Sequence, residues 1–246
     1  MRRFFFEPES RDGDHVSLSE AESHHLLRVF RLGLGARIQL FDGSGRSYQA
    51  EVAELGLRVR VRLLGATECP RPAGPALIIH QALIRNKKMD LAVQKCTELG
   101  VAAYQGVAAA RCQGGLGDAK GRARREERWQ RIVEESCKQC ARPDPMEILP
   151  AVTWADLCAE PVATARELRL LFWEEEEQGR LAGLPDLAAF SRIHLLVGPE
   201  GGLTAAEVDE ARAAGYVSVS LGPLVLRAET AVIAGVAILQ HLTGQM

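Results

Sequence analysis

The sequence predicts an α/β protein with a small β-rich domain, residues 1–71, followed by a larger domain, residues 72–246. Three observations support this class. Short strand-like runs separated by glycine turns fill the first seventy residues, a proline-rich connector follows at residues 70–75, and strands alternate with helices from Ala76 onward. The length of 246 residues and the 47% content of hydrophobic residues suffice for two domains with cores of their own.

The first domain contains one helix among its strands. Ser19 opens a helix that runs through Leu27, and strand-like runs follow at residues 38–41, 48–53 and 58–63. In the last run arginines alternate with apolar residues, which predicts one buried face and one face that displays the arginines. Closely spaced strands joined by glycine turns are typical of a small β-barrel.

The second domain begins with an unbroken apolar-rich strand at residues 76–83, the pattern of a strand buried on both faces of a parallel sheet. Residues 89–99 repeat apolar side chains at helical spacing, and Gly100 is placed to end that helix. A second helix is predicted over residues 129–140, before Pro143. Strands and helices therefore follow one another as in a parallel α/β domain.

The last third of the chain repeats one layout twice: an apolar strand, a glycine-rich loop and a helix start. Strand 193–197 leads into Gly-Pro-Glu-Gly-Gly at 198–202, and strand 216–221 leads into a second loop that begins at Gly222. The helix at residues 229–242 is apolar along most of its length, which predicts either deep burial or half of a subunit interface. Because ligands of open α/β sheets bind outside the carboxyl ends of the strands, the two loops predict a small-molecule site.

The composition of these loops limits the classes of ligand that they can bind. Neither loop has the Gly-x-Gly-x-x-Gly pattern, and neither has the Lys-Ser/Thr pair of a P-loop, so dinucleotides and nucleoside triphosphates are disfavoured. Glu200 and Glu229 would repel a polyphosphate but would accept a ligand with a cationic centre.

The formal net charge is only −2, but residues 111–142 form a basic block that includes Trp129. This block is either a phosphate-contacting face or a solvated helix whose glutamates pair with its arginines. No apolar run reaches the length of a membrane span, and the N-terminus lacks a secretory signal, so we expect a cytoplasmic protein. Of the six cysteines, only Cys137 and Cys140 form a Cys-x-x-Cys pair, which predicts reduced thiols and no metal site.

Several ordered motifs together resemble the bacterial ribosomal RNA small-subunit methyltransferase E family, a branch of the SPOUT superfamily. The resemblance runs nearly end to end. The motifs are Arg2-Arg3-Phe4-Phe5, His24-His25-Leu26, Asp42-Gly43-Ser44-Gly45, Lys95-Cys96-Thr97-Glu98-Leu99-Gly100-Val101, residues 134–142, the loop 198–202 and the segment 221–231.

The resemblance implies a PUA-like β-barrel that binds RNA and a SPOUT α/β domain tied in a deep trefoil knot. General topology rules count against knots, so the knot rests on the resemblance alone. It also implies a homodimer that uses S-adenosyl-L-methionine to methylate N3 of a uridine in the 16S ribosomal RNA of the small subunit. The donor carries a sulfonium cation and no phosphate, which agrees with the composition of the two loops.

By the same resemblance the cofactor lies among three loops at the ends of neighbouring strands. The glycines let the main chain approach the adenosine, and the prolines stiffen the loops. The cofactor-binding residues so implied are Trp173, Val197, Gly198, Pro199, Glu200, Gly201, Gly202, Leu221, Gly222 and Leu226.

The reaction needs a general base or a positive charge, because uridine must lose its N3 proton before that atom attacks the methyl group. We assign Arg142 to the target uridine or its phosphate, Arg227 to the loop or the anionic base, and Glu200 to positioning or proton acceptance. Each has a structural alternative. Arg142 would cap a helix, Arg227 would pair with Glu229, and Glu200 would interact with a helix dipole.

RNA contacts are expected from both domains, with phosphates bound by basic side chains. For Lys95, an ion pair with Glu98 on the same helix is the alternative. The residues assigned to RNA are Arg2, Arg3, Arg28, Arg31, Lys95 and Arg111.

The chain also departs from the family pattern, most clearly at Leu224, where many relatives have arginine. This departure keeps two alternatives open. One is a SPOUT methyltransferase with another RNA target such as a transfer RNA, and the other is a non-catalytic RNA-binding relative.

Overall fold

A computed structural model describes residues 1–68, 73–161 and 165–246, which form two compact units. The first unit consists of Met1–Arg71 together with Glu134–Pro145, and the second of Pro72–Val133 together with Met146–Met246. The predicted boundary between residues 71 and 72 lies outside the described residues, so the division at that point stays a prediction. Nothing in the sequence suggested that residues 134–145 would return to the first unit.

The first unit is built on a six-stranded sheet in the order β1-β4-β5-β6-β3-β2, with β1 and β4 parallel and the other pairs antiparallel. Its core contains Phe4, Leu26 and Leu40. The strands are β1 Arg2–Phe5, β2 Arg11–Asp12, β3 His15–Ser17, β4 Arg37–Phe41, β5 Arg46–Glu54 and β6 Arg60–Glu68.

The helix predicted in this unit begins where expected, because the Ser19 side chain accepts a hydrogen bond from the Glu22 amide at 3.2 Å. It is short: α1 spans Glu20–His24 and continues as a π-helix over His25–Val29. The predicted alternation before and within β6 is confirmed, since Val59 and Val61 are fully buried while the neighbouring arginines face outward.

The second unit contains a six-stranded sheet in the order β12-β10-β11-β7-β8-β9, in which every pair is parallel, as predicted. The strands are β7 Ala76–Ala82, β8 Ala103–Ala108, β9 Glu147–Thr153, β10 Glu167–Phe172, β11 Arg192–Val197 and β12 Tyr216–Val219. The strands β8 and β9 were not predicted from the sequence.

The helices predicted in the second domain occur in the structure. Thr204 caps α5 with a capping box, in which Glu207 accepts from the Thr204 amide at 2.8 Å. Gly100 follows α2 with φ +81°, as expected for a helix end. The helices are α2 Asn86–Glu98, α3 Ala119–Cys140, α4 Trp154–Ala159, α5 Ala205–Ala213 and α6 Ala228–Leu242. The helix predicted from residue 129 is α3, which begins ten residues earlier, and α4 was missed.

One face of α6 packs into the core of the second unit through Val232, Val236 and Leu239, while Ile238 and Leu242 are exposed. Gly235 lies where this helix approaches the sheet most closely. A Cβ atom at this position would overlap the Phe172 ring, with Cζ at 2.7 Å, and would lie 3.3 Å from Leu195. The glycine therefore sets the distance between α6 and the sheet.

We expect Gly235→Ala to lower the melting temperature. Alanine favours the helix by about 1 kcal/mol relative to glycine, but overpacking a well-filled core costs about 1–3 kcal/mol, and the aromatic ring has to move. Thermal unfolding followed by circular dichroism measures the net effect. A higher melting temperature would show that helix propensity dominates and that the packing described here is wrong.

Candidate functional site

A cavity of the second unit lies at the carboxyl ends of three adjacent strands. β10, β11 and β12 end at the same level, since Phe172 is in register with both Val197 and Val219. The loops that leave these strands form most of the wall of a cavity of about 280 Å³. This is the edge of the sheet at which the sequence predicts a small-molecule site.

The glycine-rich loop after β11 brings bare backbone to the cavity. Gly202 has φ +71°, and a Cβ atom there would overlap the Glu174 carboxylate. Behind the loop, Arg111 Nη1 donates to the carbonyl oxygen of Gly201 at 3.2 Å. A larger residue at 202 would therefore be strained by its backbone conformation and would collide with a side chain of the neighbouring loop.

A buried amide holds the start of this loop. Gln81, fully buried in β7, donates from Nε2 to the carbonyl oxygens of Gly198 at 3.1 Å and Val197 at 3.3 Å. This residue was not among the predicted site residues. The available signal was the pair of polar residues His80 and Gln81 in an otherwise apolar strand, because polar side chains need partners when they are buried.

The loop after β12 presents apolar side chains to the cavity and to solvent. Gly222 has φ +127°, and Ser220 closes the turn by donating to the Gly222 carbonyl oxygen at 3.2 Å. Leu224 and Val225 line the cavity and are 76% and 80% exposed. Apolar groups this exposed on a cavity wall suit the flat face of a ligand ring.

The loop after β10 is fixed by Glu176, one of four consecutive glutamates at residues 174–177. Its carboxylate accepts from the Ser218 hydroxyl, from Arg212 Nη2 at 3.0 Å and from the Gly179 amide at 2.9 Å. These hydrogen bonds lower the pKa of Glu176 to about 2, and the bond from Ser218 has the largest effect. Arg212 also lies over the Trp173 ring, 5.2 Å from its centroid. Glu176 is therefore a structural anchor of the third cavity loop.

Three charged side chains meet beside the cavity. Lys88 Nζ lies 2.5 Å from Glu200 Oε1 and 3.5 Å from Glu229 Oε1. The hydrogen bond from Lys88 lowers the pKa of the Glu200 carboxyl group, and the same bond raises the pKa of Lys88. Arg227 also lines the cavity, and its side chain is exposed. Glu229 is thus paired with Lys88, and no ion pair between Arg227 and Glu229 occurs among the described residues.

The structure brings nearly all of the predicted cofactor residues to this cavity. Gly201 is in the same loop but does not line it. The predicted residues in the wall are Trp173, Val197, Gly198, Pro199, Glu200, Gly202, Leu221, Gly222 and Leu226. Their function stays a prediction.

The cavity lies within the second unit, whereas Arg142 belongs to the first. Arg142 follows Ala141, which has φ +67° at the end of α3. Its side chain is 11% exposed, and Nε donates to the carbonyl oxygen of Asp144 at 2.6 Å. The guanidinium group is therefore held by the loop that follows the helix.

The residues predicted to bind RNA are spread over both units. Arg2 lies 4.4 Å above the Phe30 ring, and Arg3 Nε donates to Gln39 at 3.1 Å. Lys95 is paired with Glu98 at 2.8 Å, the alternative considered for it. Arg28 and Arg31 are exposed, and Arg111 braces the Gly201 loop as described above. An RNA role for all six stays a prediction.

No group of three or more side chains suited to a metal ion occurs in residues 1–68, 73–161 and 165–246. Within the same ranges, none of the helices combines the length and the hydropathy needed to cross a membrane.

Comparison with known proteins identifies the class of protein to which this chain belongs. The sequence matches the RNA methyltransferase domain over residues 72–240 and the RNA methyltransferase PUA domain over residues 18–61. The first match covers most of the second unit, including all three cavity loops, and the second lies within the sheet of the first unit. The chain is therefore an RNA methyltransferase with a PUA domain.

Individual relatives identify the family within this class of protein. Ribosomal RNA small subunit methyltransferase E of Aquifex aeolicus is 30% identical over 237 residues, 96% of this chain and 98% of the relative. The crystal structure of the enzyme of that name from Neisseria gonorrhoeae, bound to S-adenosyl methionine, has a TM-score of 0.88 at 30% identity, with 98% of each chain covered. A methyltransferase from Legionella pneumophila in complex with the same cofactor has a TM-score of 0.89 at 27% identity, with 98% of this chain and 97% of that chain covered. The chain belongs to the ribosomal RNA small subunit methyltransferase E family, which confirms the resemblance seen in its motifs.

Proposed function

We propose that this protein transfers a methyl group from S-adenosyl-L-methionine to N3 of a uridine in 16S ribosomal RNA of the small subunit. The observation that carries the proposal is the glycine-lined cavity at the ends of β10, β11 and β12. Relatives that match nearly the whole chain are named as small-subunit RNA methyltransferases, and two similar structures hold this cofactor.

The residues present fit the cofactor. A Cβ atom at Gly222 would meet nothing within 4 Å, so the loop after β12 leaves open space for an adenosine, and Leu224 and Val225 offer apolar surface to its base. The acidic side chains suit a cationic sulfonium better than a phosphate. When bound, S-adenosyl-L-methionine supplies an electrophilic methyl group on its sulfur.

The chain has to stabilise the uridine after its N3 proton is lost. Lys88 is committed to two carboxylates, whereas Arg227 lines the cavity with an exposed side chain, so Arg227 is the cation that can face the anionic base. Between the two roles considered for Glu200, we favour positioning. The hydrogen bond from Lys88 lowers the pKa of Glu200, and a lowered pKa makes a carboxylate a weaker proton acceptor.

The finer features of the fold belong to the same proposal. We infer that the sheet of the first unit closes into a PUA-like β-barrel, that the second unit carries the deep trefoil knot of SPOUT proteins, and that two copies form a homodimer. The motif resemblance supports the barrel and the knot. The exposed Ile238 and Leu242 on α6 support a dimer, because apolar side chains of a terminal helix gain from burial. Since ribosomal subunits are the substrate, a cytoplasmic location follows.

The RNA is bound by basic side chains of both units, and the uridine is unpaired or flipped out, because N3 lies on the Watson–Crick edge. Affinity carried by phosphate contacts falls as the salt concentration rises. In this scheme Arg142 contacts the target uridine or its phosphate. Its guanidinium is held by the loop after α3, so little side-chain entropy is lost when it binds.

Arg142→Ala should lower methyl transfer about tenfold to a hundredfold, the usual effect of losing one positioned cationic contact. Asp144 is the partner of Arg142, so Asp144→Asn serves as a matched control that perturbs the loop and keeps the guanidinium. Methyl transfer to small subunits is measured for both, with thermal melts to verify folding. Near-normal turnover in folded Arg142→Ala would exclude the role given to Arg142.

A further inference from the structure

Lys88 is the basic residue that meets both acidic side chains beside the cavity. It lies near the start of α2, and its ammonium nitrogen is 2.5 Å from Glu200 Oε1 and 3.5 Å from Glu229 Oε1. The side chains of Lys88, Glu200 and Glu229 are 30%, 17% and 11% exposed, so the two carboxylates are largely withdrawn from water. In such surroundings charges are screened less than at an open surface.

The two glutamates come from different elements: Glu200 lines the cavity, and Glu229 directly follows Ala228, which lines it. Glu200 is part of the glycine-rich loop after β11, and Glu229 is in the first turn of α6, directly after the loop that follows β12. Lys88 comes from a third element, so one ammonium group joins the other two. Without it, two carboxylates would face each other with no counter-charge between them and would repel.

The second oxygen of each carboxylate also bears on the bridge through Lys88. Glu200 Oε2 and Glu229 Oε2 are both buried and have no hydrogen-bond partner within the described residues. Arg85 adds a backbone hydrogen bond and a positive charge at Glu200 alone, so Lys88 is the group that contacts both glutamates. Among the residues that the structure describes, no other ion pair joins these two elements.

We propose that Lys88 is a positioning residue that holds the two cofactor loops at the separation the donor requires, by bridging Glu200 and Glu229. The inference rests on the proposed function, because it takes the cavity to be the site of S-adenosyl-L-methionine. It assigns Lys88 no contact with the methyl group or the uridine.

The first test measures binding of S-adenosyl-L-methionine and of S-adenosyl-L-homocysteine by calorimetry. Lys88→Met should weaken both ligands by the same factor, about tenfold for a coupled pair of this kind, because the loops separate whichever ligand is added. Lys88→Arg keeps the charge and should restore most of the affinity. Lys87→Met removes a neighbouring, exposed lysine of the same helix and should bind both ligands like the wild type.

The second test asks whether charge repulsion is the cause. Glu229→Gln added to Lys88→Met removes one of the two facing carboxylates and should recover most of the lost affinity for both ligands. If Lys88→Met weakened ligand binding through lost side-chain packing, Glu229→Gln would not recover the affinity. A salt-dependent recovery of Lys88→Met is expected for the same reason.

Unchanged affinity in folded Lys88→Met would overturn the inference. Tighter binding of the cationic donor alone would also overturn it, because Lys88 would then act only by its charge on the ligand. Failure of Glu229→Gln to recover affinity would also overturn it. If Lys88→Met does not fold, the ligand affinities of Lys88→Arg and Glu229→Gln are compared in its place. Weaker binding by Glu229→Gln, together with normal binding by Lys88→Arg, would then support the bridge, and any other result would overturn it. A wild-type protein that binds neither ligand would instead refute the proposed function.

Discussion

Replacing Arg227 by alanine should lower the rate of methyl transfer by about two to three orders of magnitude, the typical effect of removing a group that stabilises developing negative charge. Arg227 lines the cavity and is exposed, while Lys88 is neutralised by two glutamates. The substitution should change the dissociation constant of S-adenosyl-L-methionine by no more than about threefold, because an interaction made only with the reacting base affects turnover and not donor binding.

A purely structural role for Arg227 predicts a different outcome. Arg227 precedes α6 as its N-cap residue, but its side chain makes no capping hydrogen bond, and Glu229 is paired with Lys88. The thermal stability of Arg227→Ala should therefore equal that of the wild type. Arg227→Lys keeps the charge and should retain more activity than Arg227→Ala. A large fall in melting temperature with little change in turnover per folded molecule would contradict the assignment.

The second large effect concerns stability in acid. His80 in β7 and His194 in β11 stack with their ring centroids 5.3 Å apart, and His80 Nε2 lies 2.9 Å from His194 Nδ1. His80 Nδ1 lies 2.8 Å from Gln105 Oε1, an acceptor, so His80 donates there and accepts from His194. Both rings are then neutral, and an added proton has to enter a buried network. Arg169, Glu167 and Arg192 are the charged groups that act on this pair.

Burial, the neighbouring histidine and Arg169 lower the pKa of His80 to about 3, and burial and Arg169 lower the pKa of His194 to about 4 against a weaker opposing effect of Glu167. The unfolded chain therefore binds more protons than the folded one once the pH falls below about 6.5. The stabilisation is complete above that pH and declines as the pH falls toward the folded pKa values, by at most about 1.4 kcal/mol per pH unit for each ring.

Urea unfolding at neutral pH and at mildly acidic pH, above the range in which carboxylates titrate, measures this decline. His194→Gln removes one of the two rings and should reduce the pH dependence to about half. His24→Gln changes an exposed histidine of the first unit and should leave the pH dependence unaltered. Equal pH dependence in His194→Gln and the wild type would show that the pair does not govern acid stability.

The elements that the sequence predicted are those with a clear local signal. Continuous apolar runs identified β7 and β11, and apolar residues at helical spacing identified α2. β9 was missed because Pro150 interrupts it, which is tolerated since β9 lies at the edge of the sheet. The first ten residues of α3 were missed because their side chains are largely charged and carry no apolar period.

The cavity loops could be predicted because each directly follows a strand, and parallel strands end at one edge of the sheet. The residues that hold the loops could not. Lys88 lies 112 positions from Glu200, and Gln81 lies 117 positions from Gly198, so each pairing exists only after the sheet has formed. The grouping of residues 134–145 with the first unit has the same origin, since the Lys138 and Glu22 side chains that pair there are 116 positions apart.

Methyl transfer to uridine is measured by incubating the protein with radiolabelled S-adenosyl-L-methionine and small ribosomal subunits that lack their native methylations, followed by nucleoside analysis of the 16S RNA. We expect label in N3-methyluridine and in no other nucleoside. Absence of incorporation by a protein that binds the cofactor, or label in a different nucleoside or in the ribose, would contradict it.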